Sequence, residues 1–205
     1  RARMPVLVAI QGGCVGGAVD MVTAADMRYA TADAWFCIQE INIGMTADVG
    51  TLQRLPKLVP EGVVRELAYT GRRMSAQRAY EVGLVNQIFE THEELVEGVL
   101  DIANEIATKS PLAIWGTKES VNYARDHSVA DSLNFIATWQ AGMFQPKDMA
   151  AAFEAQTLSA SGLPPDESEE AQAARNYYPG RALPAGVTYN VLLVAALPRA
   201  EIHID

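Results

Sequence analysis

The chain has 205 residues, of which 49% are hydrophobic and 20% charged. This composition supplies a sizeable core for one folded domain, with or without an appendage, and excludes a disordered chain. The formal net charge of −9 argues against a nucleic-acid partner, because nucleic-acid binders generally carry a basic face. The longest apolar run, residues 187–197, is too short and too interrupted to span a bilayer, so no membrane span is predicted.

The first elements predict an α/β fold. Val6–Ile10 is a continuous apolar run typical of a strand buried on both faces. The glycine-rich segment 12–17 follows it and leads into a helical pattern over residues 18–27. Strand, glycine turn and helix form the unit of an α/β fold. Glycines at such a turn permit close approach of a ligand to the backbone, and the helix offers free N–H groups there.

Further elements follow in chain order. Short strands are predicted at 27–30, 35–39 and 84–89, and helices at 62–69, 113–124, 129–144 and 149–156. One more helix is predicted to begin near Asp48, and another to run from Ser75 to a C-terminal glycine at Gly83. Thr91 and Glu94 have the spacing of a capping box, which predicts the start of a long helix that continues to Ala107.

The predicted organisation is one domain and a tail. Residues 1–157 form the domain, with a core at 1–90 and a helical region at 91–157. Residues 158–205 are rich in Pro, Gly, Ser and acids at their start, which predicts a poorly ordered tail. The apolar run 187–197 within this tail has no obvious partner strand.

Cysteine and histidine do not have the spacing of a metal site. Cys14 and Cys37 lie in neither a CxxC nor a CxxH pattern, and the three histidines are scattered along the chain. Both thiols are therefore predicted to be reduced and packed in the core, and no metal is expected.

Three acids follow the glycine turn: Asp20, Glu40 and Asp48. Their separations prevent them from sharing one helical face, so they meet only if several loop or element ends converge on one pocket. Each acid also has a structural interpretation. Asp20 suits a capping or dipole-complementing position near a helix start, Asp48 suits an N-cap, and Glu40 suits a solvent-facing strand position.

Several common sites are excluded by motif. The chain contains no GxxxxGK[ST], no GxSxG and no HExxH, and GGCVGG does not match GxGxxG. A glycine turn after a strand, together with separated carboxylates, fits stabilisation of an oxyanion by backbone N–H groups and proton transfer on a carbonyl substrate.

Two runs, PVLVAIQGGCVGGAVDMVTAADMRYATADAWF and QEINIGMTADVGTLQRLPKL, resemble the enoyl-CoA hydratase/isomerase (crotonase) superfamily. The resemblance extends through TGRRMSAQRAYEVGLVNQIF, KSPLAIWGTKESVNYARDHSVADSLNFIATW and MFQPKDMAAAFEA, and covers about residues 4–157. It implies a crotonase-like fold of repeated ββα units followed by a helical trimerisation region. Relatives have earlier units, and a basic helical end that helps to hold coenzyme A, so the chain is expected to be N-terminally truncated with an atypical tail.

Within the superfamily, Asp20, Glu40 and Asp48 resemble the acids of the dienoyl-CoA isomerases. A simple hydratase would carry Glu where Asp20 stands and a GAGGTQ-like run where ADVGTLQ stands. The resemblance implies that Glu40 removes a proton from C2 of a 3,5-dienoyl-CoA and that Asp48 delivers one at C6. It implies that Asp20 completes the catalytic group by lining and orienting the pocket, and that Gly17, beside Gly16, binds the thioester oxygen.

The resemblance also implies an acyl-CoA substrate with no separate cofactor, a homotrimer or homohexamer, and a mitochondrial or peroxisomal location in β-oxidation. The candidate apolar wall of the pocket is Met21, Trp35, Phe36 and Met45, residues that also suit an ordinary core. Two alternatives remain open: hydration or Δ3-Δ2 isomerisation of an enoyl-CoA, and a non-catalytic crotonase-like subunit.

Overall fold

The computed structural model describes residues 2–147, 149–150, 153 and 191–195. The chain divides into two compact units. The first runs to Ile106 and includes the strand at 191–195, and the second begins at Ala107.

The first unit alternates short strands and helices, which confirms the predicted α/β class. Its strands are β1 (Val6–Ile10), β2 (Gly13–Val15), β3 (Met27–Thr31), β4 (Trp35–Cys37), β5 (Met74–Ser75), β6 (Gln87–Phe89) and β7 (Val191–Ala195). Its α-helices are α1 (Gly17–Ala24), α2 (Thr51–Arg54), α3 (Glu61–Thr70), α4 (Ala76–Glu81) and α5 (His92–Ala107), and 3₁₀ helices lie at Gln39–Ile43 and Leu55–Lys57.

The strands form two small sheets. The larger has the order β6-β3-β1-β7, in which β1 pairs in parallel with β3 and β3 with β6. The smaller has the order β2-β4-β5, with β2 and β4 parallel. The β1 and β2 strands belong to different sheets although only Gln11 and Gly12 separate them, and Gly12 has a φ of 63°. This left-handed backbone suits glycine and turns the chain from one sheet into the other.

The core lies on both faces of β1. Val8 and Ile10 pack with Val19 and Val22 of α1 in one cluster, whereas Leu7 belongs to a second cluster. That second cluster includes Leu95, Val99 and Ala103 of α5. Because α5 packs against the sheet in this way, the first unit extends to Ile106, beyond the boundary predicted between residues 90 and 91.

The apolar run in the predicted tail has a partner. Val191–Ala195 forms β7, which pairs antiparallel with β1 from Val6↔Ala195 to Ile10↔Val191. The sequence offered no obvious partner for this run, and the structure pairs it with the edge of β1 that β3 leaves open. The rest of the predicted tail, 158–190 and 196–205, lies outside the described residues.

Local caps occur where the sequence predicts them. The Ser75 hydroxyl accepts a hydrogen bond from the Arg78 N–H at the start of α4. At the start of α5, Thr91 Oγ1 accepts from the Glu94 N–H at 3.2 Å, and the Glu94 carboxylate accepts from the Thr91 N–H at 3.3 Å. This reciprocal pair confirms the predicted capping box.

The second unit contains α6 (Pro111–Ala124) and α7 (Val129–Met143), which agree with the two predicted helices. Ser110 and Ser128 cap them through their hydroxyl groups. In this helical hairpin Gly116 is the only buried residue of α6, and α7 has none. The predicted helix at 149–156 lies largely outside the described residues.

No helix among the described residues is long and apolar enough to cross a membrane.

A buried arginine joins three segments of the first unit. Arg28 is 5% exposed and donates to the carbonyl oxygens of Leu84 at 2.7 Å, Ala25 at 2.8 Å and Val22 at 3.3 Å. These acceptors lie at the end of α1 and in the segment before β6. The guanidinium therefore satisfies buried carbonyls that would otherwise lack donors.

We expect Arg28→Met to lower the free energy of unfolding by about 2 to 4 kcal/mol, because it leaves several buried carbonyl oxygens unsatisfied. Chemical denaturation monitored by circular dichroism measures the change. Arg65→Met is the matched control: Arg65 forms an exposed ion pair with Glu61 on α3 and should leave the unfolding midpoint nearly unchanged. Equal effects of the two substitutions would contradict the role assigned to Arg28.

Candidate functional site

The glycine turn between β2 and α1 has a backbone that favours glycine. Gly16 has φ 55° and ψ −120°, and it precedes the first residue of α1. Its N–H donates to the Cys37 carbonyl at 3.0 Å, and its carbonyl accepts from the Val19 N–H at 2.7 Å. A side chain at this position would be strained, so the turn depends on glycine.

Gly17 opens α1 and is exposed. A Cβ placed on Gly17 would meet no atom within 4 Å, so the packing of the protein itself does not require glycine here. The first N–H groups of a helix have no acceptor within the helix. Gly17 therefore presents backbone to open space at a helix N-terminus, an arrangement suited to an anionic oxygen.

Glu40 lies beside this turn. A Cβ placed on Gly16 would be 3.2 Å from Glu40 Oε1, so the carboxylate approaches the backbone at the start of α1. Glu40 is half-buried and belongs to the 3₁₀ helix Gln39–Ile43. The strand that the sequence predicts through Gln39 ends at Cys37, and a solvent-facing strand position for Glu40 is wrong.

The C-terminal end of α3 contacts the 3₁₀ helix Gln39–Ile43 and stabilises it. Asn42 Nδ2 donates to the Gly71 carbonyl at 3.1 Å, and Cys37 Sγ lies 3.3 Å from the same oxygen. Gly44 ends the 3₁₀ helix with a φ of 77°, and the Met45 N–H returns to the Glu40 carbonyl at 2.9 Å. These contacts fix the backbone that carries Glu40.

Asp20 is 4% exposed, and its carboxylate is already engaged. Asp20 Oδ1 accepts a hydrogen bond of 2.7 Å from the backbone N–H of Thr51, the first residue of α2. The side chain thus caps a helix, as one interpretation of the sequence predicts, but the helix is α2 and not its own. Asp20 lies in the first turn of α1 and joins it to α2.

Asp48 lies in an irregular segment before α2. The helix predicted to begin near Asp48 begins at Thr51, because Gly50 has a φ of 117° and occupies the N-cap position. Asp48 is therefore not the N-cap of α2. It is exposed, and its carboxylate makes no hydrogen bond or ion pair with any of the described residues.

Arg54 was not singled out by the sequence. Its guanidinium donates to the carbonyl oxygens of Asp20 and Val49, each at 2.9 Å, and to Thr23 Oγ1 at 3.3 Å. It thereby joins the backbone beside Asp48 to α1. These acceptors include residues 31 and 34 positions away, so no local sequence pattern indicates the contacts.

The candidate apolar wall divides into core and surface. Phe36 is buried in the core, and Trp35 is half-buried with the Arg73 guanidinium 3.8 Å from its ring centroid. Met21 and Met45 are about half exposed, at 48% and 51%. Exposed apolar side chains thus lie near Asp20 and Asp48 in the chain, whereas Phe36 serves the core.

The thiols are buried and belong to the core, as predicted. Burial raises the pKa of Cys14 to about 12. Burial also raises the pKa of Cys37, with Arg73 opposing the rise and Glu40 adding to it. Neither thiol suits a nucleophile, because the reactive form is the thiolate. Among the described residues no group of three or more His, Cys, Asp or Glu could hold a metal ion.

The second unit contains a cavity of about 540 Å³ between α6 and α7. Trp139, Met143 and Phe144 line it together with hydroxyl and amide side chains. It contains none of Asp20, Glu40 or Asp48, all of which lie in the first unit. The structure places Glu40 against Gly16 at the start of α1, and Asp20, in the first turn of the same helix, against the start of α2 after Asp48.

Comparison with known proteins identifies the family. The family model for enoyl-CoA hydratase/isomerase matches residues 1–157, and the chain belongs to that family. The crystal structure of enoyl-CoA hydratase from Bacillus anthracis superposes with a TM-score of 0.68 at 32% identity, over 72% of this chain and 57% of that one. This similarity confirms the crotonase-like fold.

Two curated relatives are similar over most of the chain. The mitochondrial Δ(3,5)-Δ(2,4)-dienoyl-CoA isomerase of Homo sapiens is 47% identical over 77% of this chain and 48% of its own length. The peroxisomal Δ(3,5)-Δ(2,4)-dienoyl-CoA isomerase of Arabidopsis thaliana is 44% identical over 77% of this chain and 57% of its own length. The chain thus spans about half the length of the curated relatives it matches.

The cap formed by Asp20 predicts a difference between two substitutions. Asp20→Asn keeps an oxygen that accepts from the Thr51 N–H, so its unfolding free energy should stay near that of the wild type. Asp20→Ala leaves the buried N–H unpaired and should lower the unfolding free energy by about 1 to 3 kcal/mol. Urea denaturation compares the two, and equal losses would contradict the cap.

Proposed function

We propose that the protein isomerises 3,5-dienoyl-CoA to 2,4-dienoyl-CoA. Glu40 removes a proton from C2, and the electrons of that C–H bond form the C2=C3 double bond as the C3=C4 and C5=C6 bonds shift. Asp48 in its acid form delivers a proton to C6, which leaves double bonds at C2 and C4. The proton that Glu40 gains equals in number the one that Asp48 gives up, so the isomerisation is balanced once a proton passes from Glu40 back to Asp48.

The observation that carries this proposal is the approach of Glu40 Oε1 to Gly16 beside the exposed start of α1. C2 is bonded to the thioester carbonyl carbon, so a base for C2 must lie close to the donor that binds the carbonyl oxygen. The approach of Glu40 to Gly16, the residue before Gly17, supports the assignment of Glu40 as this base and of the Gly17 N–H as this donor. Negative charge that develops on the thioester oxygen is stabilised by such preorganised backbone donors.

The second proton transfer needs a separate group. C6 lies four bonds from C2 along an extended conjugated chain, so one carboxyl group cannot reach both atoms. Asp48 suits the distant position because its carboxylate is exposed and makes no hydrogen bond with the described residues. Two carboxyl groups in opposite protonation states then act as base and acid.

Asp20 acts in this proposal as a positioning residue. Its carboxylate accepts from the Thr51 N–H, three residues after Asp48, and so holds the segment that carries the acid. This engagement also supports isomerisation over hydration. A simple hydratase would resemble this chain but carry Glu at this position, whereas here a shorter side chain is committed to a backbone N–H.

The proposed substrate is a coenzyme A thioester, and no separate cofactor enters the reaction because coenzyme A belongs to the substrate. The proposal extends to a mitochondrial or peroxisomal location, in line with the printed names of the human and Arabidopsis relatives.

We expect Glu40→Gln and Asp48→Asn each to lower the turnover number by about 10²- to 10⁴-fold, the usual effect of removing a general acid or base. The rise in ultraviolet absorbance as the diene enters conjugation with the thioester measures turnover. Glu97→Gln and Asp101→Asn are matched controls, since both acids are exposed on α5, and both should retain the wild-type rate.

Turnover of Glu40→Gln or Asp48→Asn at the wild-type rate would refute the assigned roles. Assays with a 3,5-diene and with a monoene separate the alternatives. Preferential hydration or Δ3-Δ2 isomerisation of the monoene would show that this reaction, and not dienoyl-CoA isomerisation, is the activity of the protein. Acyl-CoA binding without any turnover would identify a non-catalytic subunit.

We also propose that the protein is a homotrimer or homohexamer assembled through its second unit. Only Gly116 is buried in the hairpin of α6 and α7, while Val129 and Leu133 of α7 are 78% and 62% exposed. Exposed apolar side chains of this kind gain stability when they pack against the surface of further protein. A second copy of the chain supplies that surface.

We expect size-exclusion chromatography with light scattering to give the mass of three or six copies. Leu133→Asp should shift the distribution to smaller species, because it places a charge in the apolar surface. Asn134→Asp adds the same charge at the neighbouring exposed polar position and should leave the mass unchanged. A monomeric wild-type protein would contradict the proposed assembly.

A further inference from the structure

Asp48 is exposed, yet the backbone on both sides of it is anchored. Ala47 is 5% exposed and belongs to the main core cluster. The Val49 carbonyl accepts a hydrogen bond from Arg54, and the Thr51 N–H donates to Asp20. Anchors at positions 47, 49 and 51 thus surround a carboxylate that none of the described residues holds directly.

Arg54 is the residue that joins these anchors. One nitrogen, Nη2, donates to the carbonyls of both Val49 and Asp20 at 2.9 Å, and Nε donates to Thr23 Oγ1 at 3.3 Å. Two of these acceptors belong to α1, which also begins with the glycine turn beside Glu40. The guanidinium therefore ties the Asp48 segment to the helix whose start lies next to the proposed base.

Gly50 makes room for this contact. Its φ of 117° is one that L side chains rarely adopt, and a Cβ placed on Gly50 would overlap the Arg54 guanidinium. The chain before α2 can bring the Val49 carbonyl onto Arg54 only with glycine at position 50. The position of the Arg54 guanidinium therefore depends on the glycine at position 50.

We propose that Arg54 is a positioning residue for Asp48, acting through the Val49 carbonyl and supported by the Asp20 cap on Thr51. This inference rests on the proposed function, since it assigns Asp48 to proton delivery at C6. Arg54 reaches α1 through the backbone of Asp20 and not through its carboxylate, so the two residues hold the segment at different atoms. A fixed backbone places the exposed carboxylate where an extended acyl chain can meet it.

The test separates the two proton transfers in the purified protein. In D2O, exchange of the C2 hydrogen in recovered 3,5-dienoyl-CoA reports the step assigned to Glu40, whereas formation of the 2,4-diene also needs Asp48. We expect Arg54→Met to lower diene formation by about 10²-fold, as a misplacement of about 1 Å can do. The rate of C2 exchange and KM should change little.

Three further variants make the comparison specific. Arg54→Lys keeps the charge and one donor group but not the planar fork, so it should restore part of the lost rate. Gly50→Ala should reproduce the effect of Arg54→Met, because its Cβ displaces the guanidinium. Arg65→Met removes an exposed arginine from α3 and should behave as the wild type.

Hydrogen–deuterium exchange of the backbone amides in residues 44–51 tests the arrangement without any substrate. We expect faster exchange of this segment in Arg54→Met and in Gly50→Ala, while the amides of β1 and β3 remain protected. Unchanged exchange in residues 44–51 would overturn the inference, and so would a parallel loss of C2 exchange and diene formation. If the wild-type protein catalyses neither step, the proposed function is overturned instead. Amide exchange in residues 44–51 then still shows whether Arg54 holds this segment.

Discussion

The hydrogen bond from the Thr51 N–H to the buried Asp20 carboxylate connects the two halves of the proposed site. It joins α1, whose start lies beside Glu40, to α2, which follows Asp48. A buried carboxylate without a donor, or a buried N–H without an acceptor, would cost free energy, so each group requires the other. This contact fixes α2 and the start of the segment after Asp48 against α1, whereas the backbone that carries Glu40 is held by Asn42 and Met45.

The three acids consequently have different physical roles although they resemble one another in sequence. Asp20 is committed to a backbone donor, Glu40 lies against a glycine backbone that a ligand oxygen could approach, and Asp48 is exposed on an anchored segment. The extended conjugated substrate that we propose needs such a division, because its two reacting carbons are four bonds apart. Rigid backbone, rather than contacts among the acids, sets their arrangement.

The second unit depends on different physics. Its helices have clear serine caps, yet Gly116 is the only fully buried residue of the hairpin. Local capping defines where these helices begin, and the proposed assembly would cover their exposed apolar residues. The chain also spans about half the length of the human and Arabidopsis relatives, and the family match itself ends at residue 157.

The sequence by itself determined the features that depend on neighbours in the chain. The β1 strand, the glycine turn, the Thr91–Glu94 capping box and the Ser75 cap were predicted because their residues lie within a few positions of one another. The sequence also indicated the three acids, but not their surroundings. Only the tertiary structure decided that Asp20 caps a helix 31 positions away, that Arg28 binds the carbonyl of Leu84, and that β7 pairs with β1. Such contacts join distant residues through packing, and neither helical periodicity nor capping patterns carry information about them.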